Sequence, residues 1–564
     1  MTRFSEYLKK NETWRNVVVY LGGGWVLIEA LNFITNKYGF SDKIVDVFLV
    51  LVIFGLPILL LFNYFHFNSK TFKFHKFEVI IYLLIIISSV FTGYLVVNRS
   101  DSTPLSENDL ENGIAVLTFK NFSPDKNDNY FAAGICEAIR NNLGQLGSLK
   151  VISRNSIEKF QNDKLTTPEI ASRLGVSYIL DGSIQKDETK VRINVQLIDT
   201  KTDTQIWSEV YNRLFEDVLN IQSEIASDIA NRLKITTHKA VTLKRMNNPE
   251  SYDLYLKGLN KIRNNNGTTK DLEETLNYFD QVIKNEDHFA PAYLGKAEAL
   301  LNYVYWGRAS FEQLKSQCHE LISKALELDK GNSRCYSALG AYYFLDLDFK
   351  LAKEYLNKAI ETDPNNSDAY HWLSILFYVN NKFDKSIEIL NKSISLDPIN
   401  IFYKVNKISY YYYANKKEVA LEMLDDLISE TNDDHAVWFL SVFYADLQKY
   451  DEGISILAKR KIGTNTNWIL GYIYGKTGNV VEAERILNYH LDKKKQTYVP
   501  SFMISVIYIG LGDKESAIEW LEKEFEEGPN FMCLYTIRTD PKLDPLRKDP
   551  RFISMLESIP YSDL

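Results

Sequence analysis

Two consecutive 34-residue stretches of this 564-residue chain carry matching residue types at matching offsets, and this recurrence limits the fold more than any other feature. In 333–366 the series is Tyr336, Leu339, Gly340, Tyr343, Ala352, Leu356, Ala359 and Pro364. In 367–400 it is Tyr370, Leu373, Ser374, Phe377, Ser386, Leu390, Ser393 and Pro398. The logic is steric. Small residues such as Gly340 and Ala352 let the two helices of a hairpin approach, and Tyr343 and Leu356 fill the seam. Pro364 ends the second helix, because it lacks an N–H and its ring clashes with the preceding turn. A single hairpin cannot bury its apolar face, so neighbours must stack. Further copies place Tyr411, Ala420 and Leu424; Leu440, Tyr444, Gly453 and Leu457; Leu470, Gly471, Tyr474, Ala483 and Leu487; and Ile504, Ser505, Tyr508, Ala517 and Leu521. Residues 252–289 and 291–332 read as two looser copies. The pattern predicts an all-α array of about eight units over 250–535, capped by 536–564.

This spacing resembles the tetratricopeptide repeat (TPR). The resemblance implies a solenoid whose concave face, built from the first helix of each hairpin, binds a protein or peptide. Counting offsets along those helices predicts a partner-binding groove of Arg334, Phe344, His371, Tyr378, Tyr412, Trp468 and Tyr472. Aromatic surface residues favour interfaces; the competing reading is that these aromatics are simply core. Lys and Asn are not placed as in TPR domains that grip a carboxylate tail.

Three apolar runs open the chain, at 17–34, 44–62 and 79–97. A bilayer core takes about 20 mostly apolar residues, so the runs predict three transmembrane helices in a membrane domain over 1–98. Glu29 lies within the first, Pro57 should kink the second, and Gly22, Gly23 and Gly24 suit close helix packing. No small-residue cleavage site follows the first run, which argues against a signal peptide. Arg3, Lys9, Lys10 and Arg15 before the first run, and Lys70, Lys73 and Lys76 between the last two, predict a cytoplasmic amino terminus. The expected location is a bacterial inner membrane, with the region beyond residue 98 periplasmic.

A polar linker, 99–112, leads to alternating signals over 113–235. Strands are expected at 113–120, 149–153, 178–184, 191–197 and 204–211. Helices are expected at 130–146, with Phe131, Ile135, Ile139 and Leu143 on one face, at 167–174 with Thr167 as cap, and at 217–233. The sum is a small mixed-sheet α/β domain. Its blocks GIAVLTFKNFSPDKNDNYFAAGICEAIRNNL, LKVISRNS, ASRLGVSYILDGSI and VQLIDTKTDTQIWSEVYNR resemble the TolB amino-terminal-like domain. The resemblance implies an arrangement like the extracytoplasmic part of CadC-type regulators and of some class III nucleotide cyclases. This chain lacks their winged-helix or cyclase output domain, and the resemblance carries no catalytic residue with it.

The chemistry read from the residues is sparse. The formal net charge of −8 argues against nucleic acid, which needs a concentrated basic surface. Cys136, Cys318, Cys335 and Cys533 form no Cys-x-x-Cys pair, and no two histidines have a ligand spacing. There is no Gly-rich phosphate loop, and Asp125, Asp128, Asp181 and Asp187 read as turn formers. No catalytic residue, metal or cofactor is therefore expected. The sequence predicts a non-catalytic, membrane-anchored scaffold or adaptor that binds an unidentified protein or peptide, with homo-oligomers compatible. The alternative is a transmembrane sensor whose α/β or TPR domain binds a ligand and signals to a separate protein.

Overall fold

The computed structural model describes residues 11–38, 43–66, 76–97, 113–124, 128–144, 149–158, 160, 165–187, 190–235, 248–263, 269–430, 434–460 and 467–561. The chain divides into two compact units, Met1–Thr103 and Pro104–Leu564.

In the first unit the apolar runs fold as helices α1 (Asn11–Tyr38), α2 (Lys43–His66) and α3 (Lys76–Val97). Gly24 lies against Val52, and the Tyr20 hydroxyl donates to the Val52 carbonyl at 3.0 Å. A Cβ at Gly22 or Gly23 would meet nothing within 4 Å, so only Gly24 of that patch serves close packing. Among the described residues, no helix is long and apolar enough to cross a membrane. The three expected transmembrane helices are therefore corrected to three helices of one small unit. The expected inner-membrane location, with its cytoplasmic amino terminus and periplasmic remainder, falls with them. Length and apolarity must coincide in one helix for a crossing. In α1 the apolar stretch is diluted by Gly22, Gly23 and Gly24 and interrupted by Glu29, and in α2 Pro57 lies inside the helix.

The second unit begins with a sheet of six strands: β1 (Gly113–Val116), β2 (Lys120–Asn121), β3 (Lys150–Val151), β4 (Tyr178–Lys186), β5 (Lys190–Asp199) and β6 (Thr204–Leu214). The order is β3-β1-β4-β5-β6, with β2 also paired to β4. β1 is parallel to β3 and β4, and β4, β5 and β6 form an antiparallel meander. The first expected strand is split, because the chain leaves the sheet after Val116 and rejoins β4 further along at Ser183 and Ile184.

Alternation along the strands sorts the faces. Ile114, Leu180, Ile193 and Val195 pack under α4 (Asn129–Gly144) and α7 (Val218–Arg232), where Phe131, Ile135, Ile139 and Leu143 are fully buried. Ala115, Ile152 and Ile179 pack under α5 (Arg154–Glu158) and α6 (Thr167–Leu174). The cap of α6 is Thr166, not Thr167. Its N–H and hydroxyl both reach the Glu169 carboxylate at 2.7 Å, closing a capping box one residue earlier than expected.

Paired helices follow: α8 (Pro249–Arg263) with α9 (Thr269–Asn285), α10 (Ala290–Tyr305) with α11 (Phe311–Leu328), α12 (Ser333–Leu345) with α13 (Phe349–Thr362), and α14 (Ser367–Val379) with α15 (Phe383–Leu396). Then come α16 (Ile401–Tyr413) with α17 (Lys417–Glu430), α18 (Asp434–Asp446) with α19 (Tyr450–Arg460), α20 (Trp468–Lys476) with α21 (Val480–Lys494), and α22 (Ser501–Leu511) with α23 (Lys514–Glu526). The steric logic of the repeat is visible in α12 and α13, where a Cβ added to Gly340 would lie 2.4 Å from Leu356. Beyond the pairs stand α24 (Phe531–Thr536), a 3-10 turn (Pro541–Leu546) and α25 (Pro550–Ser558). One apolar core joins residues from Leu294 to Ile559, and a second cluster that includes Val405, Leu424 and Phe443 fills the fifth hairpin and its neighbour.

That continuity shows how the array curves. The turn after α10 reaches the far end of the array, where the Ser310 hydroxyl donates to the Glu527 carbonyl at 3.2 Å. Gly528, at φ +86°, sits where a Cβ would lie 2.7 Å from Glu312. The second hairpin therefore touches the eighth, and the superhelix closes around its own axis.

A candidate protein-interaction groove

The concave face follows from stacking. The first helix of each hairpin faces the axis, and closure turns this face into a lined interior. The segment 531–546 lies inside it. Phe531 packs against Tyr305, Trp372 and Phe344, at ring-centroid distances of 4.2, 5.7 and 6.1 Å. Tyr535 lies on Tyr378 at 4.6 Å, and its hydroxyl donates to the Asn406 side-chain oxygen at 3.3 Å. The Arg538 guanidinium donates to the Val379 carbonyl at 3.2 Å, and Thr539 Oγ1 shares a hydrogen bond with the Tyr378 hydroxyl at 3.0 Å.

The segment ends on a buried cation. Lys542 Nζ meets Asp446 Oδ1 at 2.5 Å and Asp540 Oδ1 at 3.0 Å, with its side chain 1% exposed. The Tyr413 hydroxyl donates to the other Asp446 oxygen at 2.9 Å. Burial opposes the charge on Lys542, but the two carboxylates beside it more than offset that and hold its pKa above the ordinary lysine value. The loop before the segment is pinned by another buried carboxylate. Glu524 accepts from the backbone N–H groups of Phe502, at 3.0 Å, and Asn530, at 2.8 Å.

The α/β body adjoins the same array. The Tyr130 hydroxyl donates to Asp253 at 2.6 Å, Lys186 pairs with Asp253 at 2.9 Å, and Gly134 lets Leu256 approach. Further along, the Asn365 side chain donates to the Leu149 carbonyl at 3.0 Å and accepts from the Val151 N–H at 3.0 Å. The Ser156 hydroxyl donates to Asp397, and the Ile399 N–H donates to Ser156.

The seven residues picked from the sequence fall into three groups. Tyr378 touches the segment directly, Phe344 meets Phe531, and His371 reaches Tyr535 through Asn406, whose amide lies 2.7 Å from His371 Nε2. Tyr412, Trp468 and Tyr472 are buried between repeats, with Tyr412 on Phe443 and Trp468 on Trp438. Arg334 stays about a third exposed and pairs with Glu298 at 2.6 Å. Offset counting missed Tyr305, Trp372, Asn406, Tyr413, Asp446 and the segment itself. Their shared role joins residues as far apart as Tyr305 and Phe531, 226 positions along the chain, which no local spacing can mark.

A trough of about 930 Å³ is lined by Tyr293, Lys315, His319, Lys324 and Tyr342. Among the described residues no three His, Cys, Asp or Glu side chains are grouped to hold a metal ion. All four cysteines are buried, and burial pushes the Cys136, Cys318 and Cys335 thiols up to about 12.

His371 yields a pH prediction. Burial pushes its pKa down to about 3, so it is neutral in the fold. The unfolded chain takes up that proton at about 6.5. Between those values the unfolded state binds more protons, so stability falls as pH drops through this window and is unaffected above it. Urea unfolding between pH 7 and 4 should show a shallower loss in His371→Gln than in the parent chain. Equal slopes would refute this.

Tetratricopeptide-repeat family models match residues 333–366 and 501–523, and a second such model matches 355–388. A curated relative, putative adenylate cyclase 3 of Rhizobium meliloti (strain 1021), is 31% identical over 222 residues, 38% of this chain and 37% of that one. The chain thus spans little more than a third of that relative's length. Among solved structures, YrrB, a TPR protein with an unusual peptide-binding site, is 21% identical over 32% of this chain and 94% of its own, with a TM-score of 0.23. TolB from Acinetobacter baumannii is 17% identical over 22% of this chain and 28% of its own, with a TM-score of 0.18. The array thus carries tetratricopeptide repeats.

Proposed function

We propose that this chain is a non-catalytic protein-interaction scaffold whose tetratricopeptide groove receives a polypeptide segment. Of the residues counted into it from the sequence, Phe344, His371 and Tyr378 frame that groove, with Tyr305, Trp372 and Asn406 beside them. The observation that carries the reading is that the groove already holds a peptide-like segment, residues 531–546. It is anchored by two aromatic rings and a lysine on Asp446. Rigid aromatic anchors and a desolvated charge are the features by which interfaces concentrate binding energy. A partner would present the same chemistry, aromatic side chains followed by a cation, and would take the place of the internal segment.

On its sequence blocks we read the α/β body as TolB amino-terminal-like. Its hydrogen bonds to Asp253, Asn365 and Asp397 favour a second reading, a sensor in which a ligand on the α/β body alters the array. The cyclase named for the Rhizobium relative has no counterpart in the groove chemistry.

The test uses the full chain carrying Phe531→Ala, which weakens the internal occupant, and a fluorescein-labelled peptide of residues 528–548. Fluorescence anisotropy should show the variant binding the peptide at least tenfold more tightly than the parent. Tyr378→Ala in the same background should abolish the gain. A variant that binds no more tightly than the parent would sink the groove reading. ATP turnover to a cyclic nucleotide by the purified chain would overturn the non-catalytic part.

A further inference from the structure

The meander ends on β6, and among the described residues no strand pairs with its outer side. Such an edge presents unpaired N–H and C=O groups, and proteins ordinarily blunt it with prolines, lysines, bulges or a short strand. β6 has 11 residues and contains neither proline nor lysine. It is irregular at one end only. A register shift lies opposite Leu197 and Ile198, and there Arg232 donates to the Ile206 carbonyl at 2.6 Å. From Ser208 to Leu214 the edge is open. All these residues but Tyr211 are exposed, including Val210 at 45% and Leu214 at 46%.

The ladder fixes which main-chain groups face outward. On β4 the carbonyls of Leu180 and Ile184 point away from β5, toward Leu117 and Phe122. Alternation then sends odd-numbered residues of β4 to β5, and through the register it sends the odd-numbered residues 207–213 of β6 back to β5. The N–H and C=O of Ser208, Val210, Asn212 and Leu214 therefore face outward. The Asn212 carbonyl is met by its neighbour Arg213 at 3.1 Å, as expected for an outward group.

We propose that two copies of this chain join through β6, antiparallel, about a two-fold axis at Tyr211. In this register Val210 faces Asn212 of the second copy and Ser208 faces its Leu214, so that each pair exchanges main-chain hydrogen bonds. Glu209 then faces Arg213, twice by symmetry. Shifting the axis to Val210 sets Glu209 against Tyr211, and shifting it to Glu209 sets like charges together. Only the axis at Tyr211 pairs opposite charges directly, the arrangement that stabilises cross-strand neighbours. The same patch serves both copies, as a closed two-fold interface requires. Arg213 is free to move, because its present partner Glu224 is exposed and 3.3 Å away. Its departure also frees the Asn212 carbonyl that the second strand needs.

Sedimentation of the full chain should show a dimer. Val210→Pro removes one outward donor without touching a bond to β5, a substitution that edge strands tolerate. It should weaken the dimer at least tenfold while circular dichroism and Tm stay unchanged. Glu209→Arg and Arg213→Glu should each do the same by placing like charges together, and the double exchange should restore the dimer. A parent chain that is monomeric at tens of micromolar overturns the proposal. So does a dimer indifferent to Val210→Pro, or one that the double exchange fails to rescue.

Discussion

Replacing Lys542 by methionine should cost about 3–5 kcal/mol, because it strands two buried carboxylates without their cation. Asp446 has no exposed surface on its side chain and Asp540 only 3%, so water cannot take over the role of the ammonium. Methionine keeps the apolar stem, which separates loss of charge from loss of packing. The companion variant Lys542→Met with Asp446→Asn removes one of the two stranded charges and should recover part of the loss. Urea unfolding of the two variants reads the effect directly. If Lys542→Met costs less than about 1 kcal/mol, the range of an exposed pair, the cluster does not anchor the segment.

Phe531→Ala is expected to have a comparable effect by another route. Phe531 is 8% exposed and wedged among Tyr305, Trp372, Phe344 and Tyr535. Truncating a buried phenylalanine costs about 3–5 kcal/mol, through lost transfer energy and the cavity left behind. The location of the loss matters more than its size. The segment enters the groove through the loop at Gly528 and Asn530, and the scaffold reading expects it to open there while the repeats stay stacked. Limited proteolysis should therefore cut the variant after Glu526 well before the repeats are attacked. Simultaneous digestion of the repeats and the tail would mean that 531–546 is an integral part of the core. The groove would then be closed for good, and the scaffold reading would have to find another surface.

These two outcomes bear on how a repeat array that has closed on itself can still bind. A groove whose aromatic lining is satisfied within the chain gives up affinity to the internal segment, since a partner must compete with a tethered rival. It gains protection, because an open channel lined by Tyr305, Trp372 and Tyr378 would expose a large apolar patch to water.

Much of the repeat region was legible in the sequence because its rules are local. The small residue at Gly340, the seam residue Leu356 and the helix-ending Pro364 act within one hairpin, and the spacing that encodes them survives from copy to copy. The α/β strands were legible for the same reason, since alternation writes each face into consecutive residues. Two local readings still failed by small margins. The α6 cap moved to Thr166 because Glu169 completes a box with it, and the first strand split because β2 pairs further along β4. The apolar runs misled at a larger scale. They do form helices, but none among the described residues combines the length and apolarity that a membrane crossing requires.

The groove was only half legible. Offsets placed Tyr378 and His371 on the concave face, and a wall of a groove is a property of one helix and its register. Whether that wall faces solvent, a partner or the chain itself depends on the curvature summed over the whole array. A small rotation at each repeat decides whether the second hairpin meets the eighth, and that rotation is set by packing between repeats, not by the pattern within one. The sequence alone determined that hairpins form, stack and line a concave face. Only the tertiary structure decided that the face closes on residues 531–546, because Lys542 and Asp446 are 96 positions apart and become neighbours only when the superhelix is complete.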